Sequence, residues 1–157
     1  MAHLDSRFVS AAQFHRAFQE RARTHEKACP FRICLGREDG SGSAWESLMI
    51  PGDPDALVFA ERSLKFLLWA RGGNRIHIAG DRAIFDVLAS SYAAGGARAF
   101  DDELIGRKIF AAPLQFTFHE DAADLPSFEG TSSPLGRHLD GCRIGFDLGG
   151  SDRKTAA

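Results

Sequence analysis

Cysteine is scarce in this 157-residue chain: Cys29, Cys34 and Cys142 make no Cys-x-x-Cys pair, and Cys29 and Cys34 stand five apart, a spacing without metal-ligand character. An odd count at low density speaks against a disulfide framework and fits a reducing compartment. An excess of one charge is also missing. Nineteen Lys and Arg against 21 Asp and Glu leave a net charge of −2, which removes the electrostatic case for nucleic acid or an anionic membrane surface as the main partner. No run of like charges is long enough for an interaction tail. Long hydrophobic runs are absent as well. The longest apolar region, LKFLLWA, falls far below the ~18–20 residues of a membrane span, and the start, MAHLDSRF, carries Asp5 and lacks a signal peptide's apolar stretch. Cytoplasm and no membrane are therefore the expectations.

Familiar catalytic patterns are lacking too. Six histidines occur, yet no two stand at i, i+4 on one helix, so a helical metal pair is excluded. His77 and His119 fall on expected strands and could face each other across a sheet, as could many other pairs; the histidines are read as solvated or hydrogen-bonded rather than as ligands. There is no Gly-x-Ser-x-Gly elbow, and Cys34, in a strand, reads as a small buried apolar side chain. GREDGSGS (36–43) is rich in glycine but lacks the Lys-Ser/Thr ending of a P-loop and precedes no helix; a hairpin turn explains it. Asp101, Asp102 and Glu103 are read as acids at a helix N-terminus, favoured by the helix dipole. Lys108, five residues past Glu103, is too far along an α-helix for a close pair. No catalytic residue and no protein-held metal are assigned.

What is present is a full set of local structural signals. Ala11, Phe14, Phe18 and Ala22 recur at helical spacing within 9–27, with Ser10 as N-cap and Pro30 as the stop. Phe31, Ile33 and Leu35 alternate with smaller or polar residues, and AWESLMIP follows the EDGSGS turn, so a β-hairpin over 31–50 is expected. Asp53 or Asp55 opens a helix that Gly72-Gly73 ends. Leu57, Ala60, Leu64, Leu67 and Leu68 form its broad apolar face, widened by Phe59, Phe66 and Trp69. A strand (75–80), a helix from Asp81 to Gly95-Gly96, a short helix near DDELIGRKIF and a strand (114–120) come next. The expected class is α/β (or α+β) with a mixed sheet. Residues 1–125 would form this N-terminal unit and 126–141, rich in Pro, Gly and Ser, a linker. Residues 142–157 would open a second domain.

That last stretch, RIGFDLGGSDRKTAA (143–157), makes the one chemical demand in the chain. A strand ending at Asp147 leads into Gly149-Gly150, where a tight turn lets backbone N–H groups converge on an anion. Asp147 can hold a metal-bound water beside phosphates; Ser151 adds a hydroxyl and Lys154 a point charge. On the dipeptide alone, an ordinary hairpin turn is the favoured reading. The series Asp147-x-Gly149-Gly150-Ser151-x-x-Lys154 resembles the first phosphate-binding motif of the actin/hexokinase/heat-shock ATPase superfamily. Within it, the chain looks most like the start of the ROK (repressor, open reading frame, kinase) sugar-kinase domain in members with a long N-terminal extension. The likeness covers about fifteen residues. It implies ATP and Mg²⁺ as cofactors and a sugar as phosphoryl acceptor, with Asp147, Gly149, Gly150, Ser151 and Lys154 around the ATP phosphates. It also implies that the catalytic aspartate, the second phosphate loop and the adenosine loop lie beyond residue 157, so the chain alone would phosphorylate nothing. The competing expectation is a stand-alone α/β ligand-binding or protein-interaction domain whose tail matches by accident. A ROK-type transcriptional regulator fits poorly, since its N-terminal helix-turn-helix is not what this strand-containing, non-basic region encodes. A strand near 143–147 without a neighbour would invite a homo-oligomer.

Overall fold

The computed structural model describes residues 8–128 and 141, together with the backbone of 145–148 and 153–156. The chain begins with α1 (Ala11–Thr24). Ser10 caps it through a reciprocal box: its hydroxyl accepts from the Gln13 N–H while the Gln13 side chain accepts from the Ser10 N–H. The helix ends at Thr24, earlier than Pro30 suggested. Pro30 instead lies in β1 (Cys29–Gly36), which pairs antiparallel with β2 (Gly42–Met49) in the expected hairpin. The proline is tolerated because it sits in a stretch of β1 that only β2 flanks; pairing with the next strand starts at Arg32.

Asp53 caps α2 (Pro54–Arg71), accepting from the Asp55 N–H, with Pro54 at the first helical position. Arg21 of α1 reaches both Asp53 and Asp55, at 3.0 and 3.1 Å. Then follow β3 (Arg75–Ala79), α3 (Arg82–Tyr92, capped by Asp81), the single turn α4 (Ala99–Asp101) and β4 (Gln115–His119). The sheet order is β2-β1-β3-β4, antiparallel except for the parallel β3–β4 pair. This is an α/β fold with a mixed sheet, as expected.

Period-two alternation splits the sheet into two unlike faces. Phe31, Ile33, Leu35, Ile76 and Ile78 are buried and join α1, α2 and α3 in one core. The opposite face carries Arg32, Cys34, His77, Thr117 and His119. It is crossed by the segment after β4, where Leu125, Pro126 and Ser127 meet Arg32, Cys34 and Ala44 around a hollow of ≈ 320 Å³. Phe128 lies at the turn end of the hairpin, where an added Cβ at Gly42 would stand 2.6 Å from its ring. Residues 126–128, expected in the linker, thus pack on the sheet; 129–140 lie outside the described residues.

Two expectations need correcting. Phe59 is fully buried, but Phe66 is 68% and Trp69 51% exposed, so α2's buried face is narrower than its apolar content suggested. Leu64, Leu67 and Leu68 already fill the width that one helix presents to a sheet. The acidic run is likewise more than a helix start. From Asp102 to Ile109 the backbone winds as a π-helix, in which residues five apart share a face. Asp102 therefore meets Arg107 at 3.0 Å and Glu103 approaches Lys108 at 3.9 Å, the pairing an α-helix would deny.

Candidate functional sites

The phosphate motif lies on a second, two-stranded sheet. β5 (Gly145–Leu148) and β6 (Arg153–Ala156) pair antiparallel with Asp147 opposite Lys154 and Leu148 opposite Arg153. The acid and the basic residue of the motif thus share one register position at the closed end of a hairpin. Gly149, Gly150 and Ser151 lie between the strands and outside the described residues. The strand is one residue longer than Asp147 at its C-terminal end, and its neighbour is β6 of the same chain.

A second site builds on α2. A hollow of ≈ 750 Å³ opens between α1 and α2, lined by His15 and Gln19, by Trp45 of β2, by Arg62, Phe66 and Trp69, and by Arg98. Its lining residues are electrostatically organised. The Trp69 indole N–H donates to Asp101 Oδ1 at 2.9 Å, and Lys65 Nζ lies 3.5 Å from the other carboxylate oxygen. Asp101 is 1% exposed, so these partners compensate a charge that burial alone would penalise. Glu61 binds Arg98, and the bond to Glu61 raises the arginine's pKa. Tyr92, buried nearby, has its phenol pushed above its usual value by burial and by the Asp101 and Glu61 carboxylates. His15 is held below the usual imidazole value by burial and by Arg62, and its ring lies 4.7 Å from Phe59. Sequence reasoning missed this site, because its residues come from four elements and only Trp69 and Phe66, misassigned to the core, signalled it.

The third grouping realises a contact that the sequence offered as one option among many. His77 Nδ1 and His119 Nε2 stand 3.0 Å apart across the parallel strands, one imidazole donating and the other accepting. Cys34 is His77's register partner on the other side; burial raises its thiol pKa, so it is a buried neutral side chain as expected. Among the described residues, no three His, Cys, Asp or Glu side chains gather as a metal-ligand set. His77 is held below the ordinary histidine value by burial first, then by His119 and Arg75. A folded-state pKa below the unfolded one means the unfolded chain takes up protons first as pH falls. Stability is therefore full above the unfolded value near 6.5 and declines as pH drops below it. Thermal melts from pH 7.5 to 5.5 are expected to show falling Tm, with a shallower slope for His77→Gln. An unchanged slope in that variant would assign the decline to other groups, His15 among them.

Among the described residues no helix is long and apolar enough to cross a membrane. No family model, no curated protein and no solved structure matches this chain.

Proposed function

We propose that the chain is the N-terminal part of an ATP-dependent ROK-type sugar kinase. In that reading residues 1–125 form an α/β extension and 142–157 open the ATPase domain. The observation that supports it is the β5–β6 hairpin, which sets Asp147 and Lys154 in register on either side of Gly149-Gly150-Ser151. Two paired strands joined by a short connection are the context that the motif requires, and an anion held there would meet backbone N–H groups and the charge of Lys154. In the intact protein these residues would hold the ATP phosphates, and Asp147 would orient a water on Mg²⁺. The reaction would pass the γ-phosphoryl group to a sugar hydroxyl, with charge stabilisation as the main catalytic contribution. The base that takes the hydroxyl proton would come from outside this chain.

The test uses the gene expressed through its natural stop codon. ADP release is followed across a panel of hexoses and amino sugars, with and without Asp147→Asn. Sugar-dependent turnover is expected, reduced on the order of a hundredfold by the substitution, at unchanged Tm. Absence of sugar-dependent ADP release, or full activity in Asp147→Asn, would refute the proposal. Residues 1–157 alone are expected to show none.

A further inference from the structure

The hollow between α1 and α2 has no part in phosphoryl transfer, yet it has the attributes of a ligand site. Its ≈ 750 Å³ lies within the ~300–1,000 Å³ range of small-molecule pockets. Both tryptophans of the chain line it. Phe66 and Trp69, one helical turn apart, leave 68% and 51% of their surface to solvent. A half-exposed indole ordinarily samples several rotamers, but Trp69 is held in one by its bond to buried Asp101. Trp69 is thus a fixed aromatic surface with little ordering left to lose on binding, and Phe66 extends this shelf.

The polar groups around this shelf are unequal. Lys65 and Arg98 are already engaged by Asp101 and Glu61. Arg62 has no carboxylate partner among the described residues; its guanidinium lies 5.2 Å from the centre of the Phe14 ring. Ser63, also on the lining, is 4% exposed, and its hydroxyl is buried without a hydrogen-bond partner. A flat apolar body with one acidic group matches both the shelf and an arginine that has no carboxylate partner among the described residues.

We infer that this cavity binds a ring-bearing small anion, its aromatic body on Trp69 and Phe66 and its carboxylate or phosphate at Arg62. The site is independent of the kinase reading and is present in residues 1–157, so either can fail without the other.

The two indole N–H resonances of the ¹⁵N-labelled chain report on the site directly, since both belong to the lining. They are followed while 2-naphthoate, 2-naphthyl phosphate or the neutral 2-naphthylmethanol is added. Both resonances are expected to shift saturably with either acid, at least about tenfold more tightly than with the alcohol, as one charge-assisted hydrogen bond provides. The tighter of the two acids identifies the head group. Arg62→Gln, on the exposed side of α2, is expected to erase the preference for acid at unchanged Tm, and Phe66→Ala to weaken all three probes. Static resonances, equal affinity for acid and alcohol, an acid preference that survives Arg62→Gln, or shifts that follow protein concentration instead of probe would each overturn the inference.

Discussion

Replacing Phe59 by alanine is expected to remove about 3–5 kcal/mol of unfolding free energy, the cost of truncating a large aromatic in a packed core. The ring is fully buried. It stacks on Phe18 with centroids 4.4 Å apart and lies 6.0 Å from Trp45, so one side chain ties α2 to α1 and to β2. Removing it opens a cavity where three elements meet, and none can close the gap without leaving its own contacts. Phe66→Ala, in the same helix, is the matched control. With 68% of its surface in solvent, it is expected to change stability by no more than about 0.5 kcal/mol. Urea denaturation followed by circular dichroism gives both values. Equal losses in the two variants would mean that α2 presents its broad apolar face to the sheet after all.

The second large effect is expected at Gly106, in the π-helix. A Cβ there would stand 2.8 Å from the Ala112 carbonyl oxygen, 3.0 Å from the Leu114 nitrogen and 3.1 Å from Asp102 Oδ1. The chain leaving the helix folds back over the glycine so that the Leu114 N–H can donate to Asp102 Oδ1 at 2.7 Å. Gly106→Ala pushes this return away, combining overpacking with the loss of a charge-assisted bond to a 7%-exposed aspartate. The cost is roughly 3 kcal/mol. Asp102→Asn removes part of the same interaction, so the two substitutions together should cost less than their sum. A double-mutant cycle by thermal or urea unfolding measures the coupling; strict additivity would show that the glycine does not support the carboxylate's bond.

Much of the fold was legible because its signals are local. Ser10, Asp53 and Asp81 satisfy N–H groups two or three residues away, and Gly72 ends α2 with φ 72°, a backbone state that favours glycine. The alternation of Phe31, Ile33 and Leu35 marks one buried face wherever the strand sits. The His77–His119 contact could be foreseen as one option because both strands were readable, but its 3.0 Å geometry depends on parallel register. Pro30 misled because proline ends a helix and also fits a strand with one free edge. Trp69 and Phe66 misled for a different reason: hydrophobicity does not say how much of a helix its sheet can cover.

The sequence by itself thus determined the order of elements, their caps and turns, the apolar face of each strand and the spacing from Asp147 to Lys154. Each of these rests on contacts within a few residues or on the period of a single element. Only the tertiary structure decided that Asp101 anchors Trp69, that among the described residues Arg62 has no carboxylate partner while Lys65 and Arg98 are matched, and that Asp102 reaches Leu114. Those facts join residues 32 to 37 positions apart or a turn whose winding is not α-helical. Whether a charge is compensated depends on what packing brings beside it, and no local pattern along the chain encodes that.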